Sequence, residues 1–348
     1  MYLETVVLRN NKYQRVVLVG CGKMSKKWLD YLAKHVELEL VALVDVNVSA
    51  AEARANEIGG SVPIFSSLNK ALEETNPTVV CDVTIPEVHS KVAITAMRHG
   101  CHVFSEKPMA DSFEDACAAS VIASQTGLTY AVMQNRRYKN SIRVVKGIVE
   151  SGQLGEIGMV NASFYLGPHF GGFRDKMLSP LLLDMAIHTF DQARFISSQD
   201  PLSVYCHEFN PAWSWYAHGS SASVIFEMTN ELVFTYLGSW CTESLKTSWE
   251  SEWSLIGSKG SLHWDGEDKY KIELNSEAEL VFPDTYEGAI GHEGCLDEMF
   301  TSLVSDTIPQ TTYQDNIKSL AMVFGSIESA KRQQKIDIKN LYTENAKS

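Results

Sequence analysis

The sequence predicts two domains: an α/β domain built on a doubly wound parallel sheet, then an α+β domain with a mostly antiparallel open sheet. Three observations carry that expectation. The chain has 348 residues, more than one hydrophobic core normally serves. Apolar strands and amphipathic helices alternate up to about residue 135, the pattern of a parallel sheet covered on both faces. Strand-like runs then follow one another with polar turns between them. The expected division is therefore 1–135 and 136–348.

In the first domain, residues 15–19 form a β-branched run that ends at Gly20. A helix is expected over 24–34, where Met24, Trp28, Leu29, Leu32 and Ala33 make an apolar stripe. Strands follow at 38–44, 63–65, 79–83, 102–104 and 129–133, with helices at 49–58, 67–74, 88–98 and 112–125 between them. Beyond these, a helix at 140–150 leads to a strand at 157–165, an irregular Gly/Pro stretch at 167–180 and a helix at 181–196. Six further strands are expected at 202–209, 221–229, 231–239, 249–257, 260–264 and 270–275. A helix at 313–332 closes the domain, and the tail after 339 is expected to be loose.

Apolar residues at 45% and charged residues at 21% match an ordinary globular chain, not a disordered one. A net charge of −13 argues against nucleic acid as a partner, because such binding rests on Lys and Arg displacing counterions. Cys21, Cys81, Cys101, Cys117, Cys206, Cys241 and Cys295 lie far apart without a CxxC pair, which suits reduced thiols and no metal site. No apolar run approaches the ~20 residues that span a bilayer, and no basic segment followed by an apolar stretch opens the sequence, so a cytoplasmic, membrane-free protein is expected.

Gly20-Cys21-Gly22-Lys23-Met24-Ser25 is a GxGxxS loop between the first strand and the first helix. Missing side chains there let backbone N–H groups approach a pyrophosphate at a helix N-terminus, as in a Rossmann dinucleotide-binding domain. The glycines alone also suit a plain strand-to-helix turn. Asp45 strengthens the first reading, since it ends the second strand 25 residues after Gly20 and offers a carboxylate to both adenosine ribose hydroxyls. A 2′-phosphate would meet like charge and no adjacent arginine, so NAD is expected over NADP. Asp45 equally suits the opening of a turn into the next helix.

Ser105-Glu106-Lys107-Pro108 follows a strand at the carboxyl edge of the parallel sheet, where ligands of such sheets collect. Pro108 biases Lys107 toward an extended backbone. In the second domain, Asp184, His188 and Asp191 stand at helical spacing among Leu181, Leu182, Leu183, Met185, Ile187, Phe190 and Phe195. So polar a stripe on so apolar a helix needs partners or a task. A surface Asp–His–Asp network and a pair of metal ligands remain open, although no third ligand stands at a suitable spacing. Trp213, Trp215, Trp240, Trp249, Trp253 and Trp264 crowd the strand-rich half, where they suit a core, a subunit interface or the faces of sugars.

Taken in order, the Gly20–Ser25 loop, Thr84-Ile85-Pro86-Glu87-Val88-His89, Glu106-Lys107-Pro108, Asn135-Arg136-Arg137-Tyr138 and Asp184-x-x-x-His188-x-x-Asp191 make the chain resemble a known group. It is the glucose–fructose oxidoreductase, inositol dehydrogenase and rhizopine-catabolism (Gfo/Idh/MocA) family. The resemblance implies that Lys107, Asp184 and His188 are catalytic. It implies that Gly20, Gly22, Lys23, Met24, Asp45, Thr84, Ile85, Pro86, His89, Glu106 and Lys107 surround the cofactor, and that Arg136 reaches the substrate together with the catalytic three. It also implies a homodimer or homotetramer formed through the open sheet of the second domain. Leu181–Leu183 and Ala186 stand where the family often has glycines, a departure that bears on pocket shape.

The chemistry expected is oxidation of a secondary hydroxyl on a sugar, inositol or related polyol. An imidazole, with a free pKa of ~6.5, suits the base, and an ammonium suits the developing alkoxide. On this reading His188 takes the proton, Lys107 stabilises the oxygen, and Asp184 fixes the substrate hydroxyl and the orientation of the imidazole, in a cleft between the domains. Two alternatives stay open: a glycoside-processing enzyme that keeps NAD bound through a transient oxidation, and a non-enzymatic dinucleotide or sugar sensor.

Overall fold

The computed structural model describes residues 13–274, 277–281 and 286–344. They form two compact units, residues 13–133 with His292–Tyr313, and Gln134–Gly291 with the residues from Gln314 onward.

In the first unit, β1 (Gln14–Val19), α1 (Ser25–Leu32), β2 (Leu38–Val44), α2 (Val48–Glu57), β3 (Ile64–Phe65), α3 (Leu68–Thr75) and β4 (Val79–Asp82) come first. They are followed by α4 (Pro86–Arg98), β5 (His102–Ser105), α5 (Phe113–Thr126) and β6 (Tyr130–Val132). The sheet runs β3-β2-β1-β4-β5-β6 with every described pairing parallel. Val16, Val17 and Leu18 of β1 and Val79, Val80 and Cys81 of β4 are fully buried, as a sheet covered on both faces requires. Strand order reverses between β1 and β4, the switch point beside which such sheets bind ligands.

In the second unit, α6 (Asn140–Glu150) and β7 (Ile157–Tyr165) precede a wide turn of π type over Leu181–Ala186, which runs into α7 (Ile187–Ser197). The strands β8 (Pro201–Phe209), β9 (Ser221–Met228), β10 (Val233–Ser239), β11 (Glu252–Gly257), β12 (Gly260–Trp264), β13 (Tyr270–Leu274) and β14 (Glu277–Val281) follow. After α8 (Gly291–Ser305) come α9 (Tyr313–Arg332), β15 (Ile336–Asp337) and α10 (Lys339–Glu344). The open sheet is ordered β14-β13-β12-β11-β7-β10-β9-β8-β15, antiparallel throughout except where β10 lies parallel to β7. Its inner face carries an aromatic ladder, with Phe226 against Phe234 at 5.6 Å, Phe234 against Trp253 at 6.2 Å and Trp253 against Trp264 at 6.3 Å. Trp240, Trp253 and Trp264 are thus core residues, whereas Trp213 and Trp249 are exposed.

Residues 292–313 return to the first unit, which the expected single cut at 135 does not provide for. The reason is packing: Phe300 of α8 stacks on Tyr31 at 5.8 Å and meets Phe104 edge-on at 4.9 Å, with Leu296 and Met299 buried beside it. No helix in 181–196 was expected to open with a wide turn, and α8, β14, β15 and α10 were not anticipated. Residues 339–344 of the expected loose tail are helical, and the rest of that tail lies outside the described residues, as does residue 275 of the last expected strand.

Candidate active site

The glycine loop follows β1 directly. Gly20 has φ +92°, and a Cβ there would stand 2.5 Å from the Val83 carbonyl oxygen, so close approach of β1 to the end of β4 admits only glycine. A Cβ on Gly22 would meet nothing within 4 Å, which leaves its backbone approachable. Lys23 and Met24 are exposed at the start of α1. The Asp45 carboxylate accepts from the Cys21 amide at 2.7 Å and from the Asn47 amide at 2.8 Å. One backbone donor on each oxygen fixes the carboxylate and leaves lone pairs for two hydroxyls.

Arg54 of α2 went unnoticed in the sequence. Its guanidinium donates to Ser25 Oγ at 3.1 Å and to the Gly22 carbonyl at 3.0 Å, and it pairs with Glu57. Ser25 in turn donates to the Gly22 carbonyl at 2.6 Å. The serine at the loop's third small position therefore closes the loop by hydrogen bonds. Burial pushes the Cys21 thiol up to about 12, with Asp45 adding to the effect, so this cysteine is inert packing.

Behind the carboxyl ends of β4 and β5 lies a buried polar cluster. Asp82 accepts from the Thr84 amide at 3.1 Å, the Thr84 hydroxyl at 2.6 Å and the Ser105 hydroxyl at 3.1 Å. Burial raises its pKa, against the pull of His89 and these hydrogen bonds. Glu106 accepts from Trp28 Nε1 at 2.9 Å and from the Lys107 amide at 3.3 Å; burial raises its pKa too, against the Trp28 bond and the Lys107 charge. Lys107 is thus presented from a corner whose neighbours are all anchored; its bond to Pro108 is cis.

Ile85 is exposed and Pro86 opens α4, which leaves that helix N-terminus accessible. His89 differs from the expectation of a cofactor contact. It is fully buried, with Nδ1 2.7 Å from the Pro108 carbonyl and Nε2 3.2 Å from the Thr84 carbonyl. Glu106 is likewise turned inward, at 7% exposure. His292 of α8, in a Gly291-His292-Glu293 stretch that the sequence offers as pocket lining without a spacing argument, is a neighbour of this corner: its Nε2 lies 3.8 Å from Glu106 Oε1, and burial, with Lys27 and Lys107 nearby, pulls its pKa down to about 4. Only the return of residues 292–313 brings it there, and no spacing in the sequence signals that.

In the second unit, Asp184 lies on the wide turn and His188 on the first turn of α7. The i→i+5 geometry alters the one-face alignment expected of a regular helix. Arg174, from the stretch expected to be irregular, donates to Asp184 Oδ2 at 2.8 Å and lies over Phe173 at 4.8 Å and Phe170 at 5.3 Å. His188 is buried, at 7% exposure.

Asp191 corrects the idea of a surface network. It is 1% exposed and receives two hydrogen bonds from Arg137, at 2.7 and 2.6 Å, and one from Ser319 at 2.7 Å. Against burial, which pulls it down, Asp191 and Asp315 hold the Arg137 pKa above the ordinary arginine value. The helix motif therefore divides: Asp191 is a buried brace, Asp184 is paired with Arg174, and His188 is buried on the first turn of α7. Arg136 donates to the Trp249 carbonyl and lies 3.5 Å from Glu250, whose other partners are Lys139 and Gln192. Burial lowers its pKa, opposed by Glu250, Tyr236 and Asp184, so Asp184 is close enough to be felt. Among the described residues no cluster of three or more His, Cys, Asp or Glu could hold a metal ion.

Two family models match the chain. Residues 14–134 match the oxidoreductase family with NAD-binding Rossmann fold, and residues 142–263 match the GFO/IDH/MocA C-terminal domain. The chain belongs to the GFO/IDH/MocA family. As a member it is an NAD-binding oxidoreductase, with the parallel and open sheets expected of it. A 1,5-anhydro-D-fructose reductase of Ensifer adhaerens is 24% identical over 335 residues, 92% of this chain and 97% of that enzyme. An inositol 2-dehydrogenase of Rhizobium meliloti is 29% identical over 199 residues, 55% of this chain and 57% of that enzyme. An oxidoreductase from Agrobacterium radiobacter, solved with NAD+, L-tartaric acid and magnesium, superposes with a TM-score of 0.85 at 19% identity and covers 94% of this chain and 99% of its own. The likeness to that structure is one of fold. Among the described residues no helix is long and apolar enough to cross a membrane.

Proposed function

We propose that this family member oxidises a secondary hydroxyl of a sugar, inositol or related polyol with NAD. The observation that carries the reading is the anchored corner that presents Lys107, in a chain that also has Asp184 and His188 on α7 and the turn before it. A bound nicotinamide supplies the hydride acceptor. His188 removes the hydroxyl proton, the Lys107 ammonium stabilises the oxygen as it becomes an alkoxide, and Asp184 orients the hydroxyl. Arg136 serves the same site by holding the elements around Asp184, through Trp249 and Glu250.

Gly20, Gly22, Lys23 and Met24 cradle the pyrophosphate, with Thr84, Ile85 and Pro86 at the second helix N-terminus. Asp45 takes the ribose hydroxyls. NAD is favoured over NADP because Asp45 repels a 2′-phosphate and the guanidinium of Arg54 is engaged by Gly22, Ser25 and Glu57. The named activities of the relatives, on inositol and anhydrofructose, support a polyol substrate.

The chain acts as a homodimer or homotetramer through the outer face of its open sheet. Tyr205 opposite Ile225, Ile256 opposite Met159, and Leu237 all stand exposed there, an apolar face of the kind that self-association covers. Free, buried cysteines support a reducing cytoplasm.

The test is a panel of myo-inositol, D-glucose and methyl α-D-glucoside with purified protein and NAD, scored by NADH formation. Steady NADH from a free polyol or sugar is expected. No NADH from any of them, with NAD retained through gel filtration, overturns the reading in favour of glycoside processing with bound cofactor.

A further inference from the structure

We infer that His89 is a positioning residue: its buried ring ties the Thr84 loop to the Lys107–Pro108 corner and thereby sets how Lys107 is presented. Its two nitrogens face carbonyl oxygens 19 residues and 5 residues away in sequence, Pro108 at 2.7 Å and Thr84 at 3.2 Å. With the ring fully buried, no polar atom of this side chain remains to meet a cofactor.

The surrounding bonds show why the clamp matters. Thr84 gives its amide and hydroxyl to Asp82, and its carbonyl faces His89, so every polar atom of that residue is held from within the unit. Lys107 is held at its amide by Glu106, and the carbonyl of the next residue faces His89. The Glu106 amide already donates to the Asp82 carbonyl at 2.8 Å where β4 and β5 end, and the ring on the first turns of α4 adds a second link one step further out, between Thr84 and Pro108. A ring in that place transmits the position of one loop to the other. Loss of the ring and its N–H would leave both loops in place but loosely set.

The inference rests on the proposed role of Lys107, and its test has an arm that does not. Full-length His89→Leu and His89→Gln proteins are compared with wild type by hydrogen exchange of peptides covering 84–89 and 106–109, by NAD titration, and by kinetics on the fastest panel substrate. In His89→Leu both segments are expected to exchange at least about tenfold faster together. In the same variant kcat should fall by roughly 10–10²-fold, with KM and the NAD dissociation constant within about threefold of wild type. His89→Gln, which keeps an amide donor, should recover most of both effects. Wild-type exchange in both segments of His89→Leu, or an NAD affinity that falls as far as kcat, overturns the inference. Should His89→Leu not fold, His89→Asn, with a donor too short to span both carbonyls, replaces it under the same criteria. If Lys107→Ala retains full turnover, the functional reading fails, and the exchange arm still decides the clamp.

Discussion

The candidate residues of the first unit and those of the second are held in different ways. In the cofactor unit the groups around Lys107 are buried and braced: Trp28 donates to Glu106, Asp82 accepts from Thr84 and Ser105, and His89 faces two backbone carbonyls. In the other unit Asp184 is tied to Arg174, a residue of a loop whose Phe170 and Phe173 are exposed. The brace beneath the second half lies deeper, in the Arg137–Asp191–Asp315 cluster.

The comparison breaks first at the reacting groups. Lys107→Ala and His188→Ala are expected to lower turnover by ~10²–10⁴-fold with NAD affinity nearly unchanged, measured by steady-state kinetics and NAD titration. Next in size is the brace: Arg137→Ala strands the buried Asp191 and should cost about 3–5 kcal/mol in urea unfolding, whereas Arg137→Lys recovers only part of it. A loss under ~1 kcal/mol would show that the cluster is solvated.

Asp45→Ser combined with Val46→Arg should move the NAD-to-NADP preference by about tenfold or more toward NADP, since Val46 is exposed beside the acid. An unmoved ratio would remove Asp45 from the ribose site. Arg174→Ala sharpens the contrast between the halves. It should raise KM for the proposed sugar or polyol by about tenfold and leave NAD binding alone, because that ion pair belongs to the second unit and the NAD-binding Rossmann fold to the first.

The smallest effect is one of pH. Burial raises Glu208 from 4.5 to about 7, with a Ser179 hydrogen bond opposing it, and its Oε1 is buried without a hydrogen-bond partner among the described residues. The folded state therefore keeps a proton that the unfolded chain has released between those values, so stability should fall as pH rises from 4.5 to about 7. Thermal unfolding of Glu208→Gln should show a shallower fall over that window, and an identical slope would discount the carboxyl.

Much of this was legible because it is local. Alternation of β-branched runs with amphipathic helices marked the parallel sheet, and the GxGxxS loop after β1, Asp45 after β2 and Glu106-Lys107-Pro108 after β5 stand where that alternation puts them. What sequence spacing does not carry is which side a polar side chain turns to. Asp191 lies in the same motif as His188, yet it faces Arg137 and Ser319, and His89 in its motif faces two carbonyls. Arg174 had no signal, sitting in a stretch without periodicity.

The sequence by itself determined the fold class, the order of the elements and the family, because hydrophobic period and turn chemistry act over a few residues. Only the tertiary structure decided that residues 292–313 rejoin the first unit, that His292 lies beside Glu106, and that the helix with His188 opens on a wide turn. Those outcomes depend on long-range packing, such as Phe300 against Tyr31 and Phe104, and on where buried carboxylates find donors. Free energies of that kind are settled between residues far apart in the chain, so no local pattern records them.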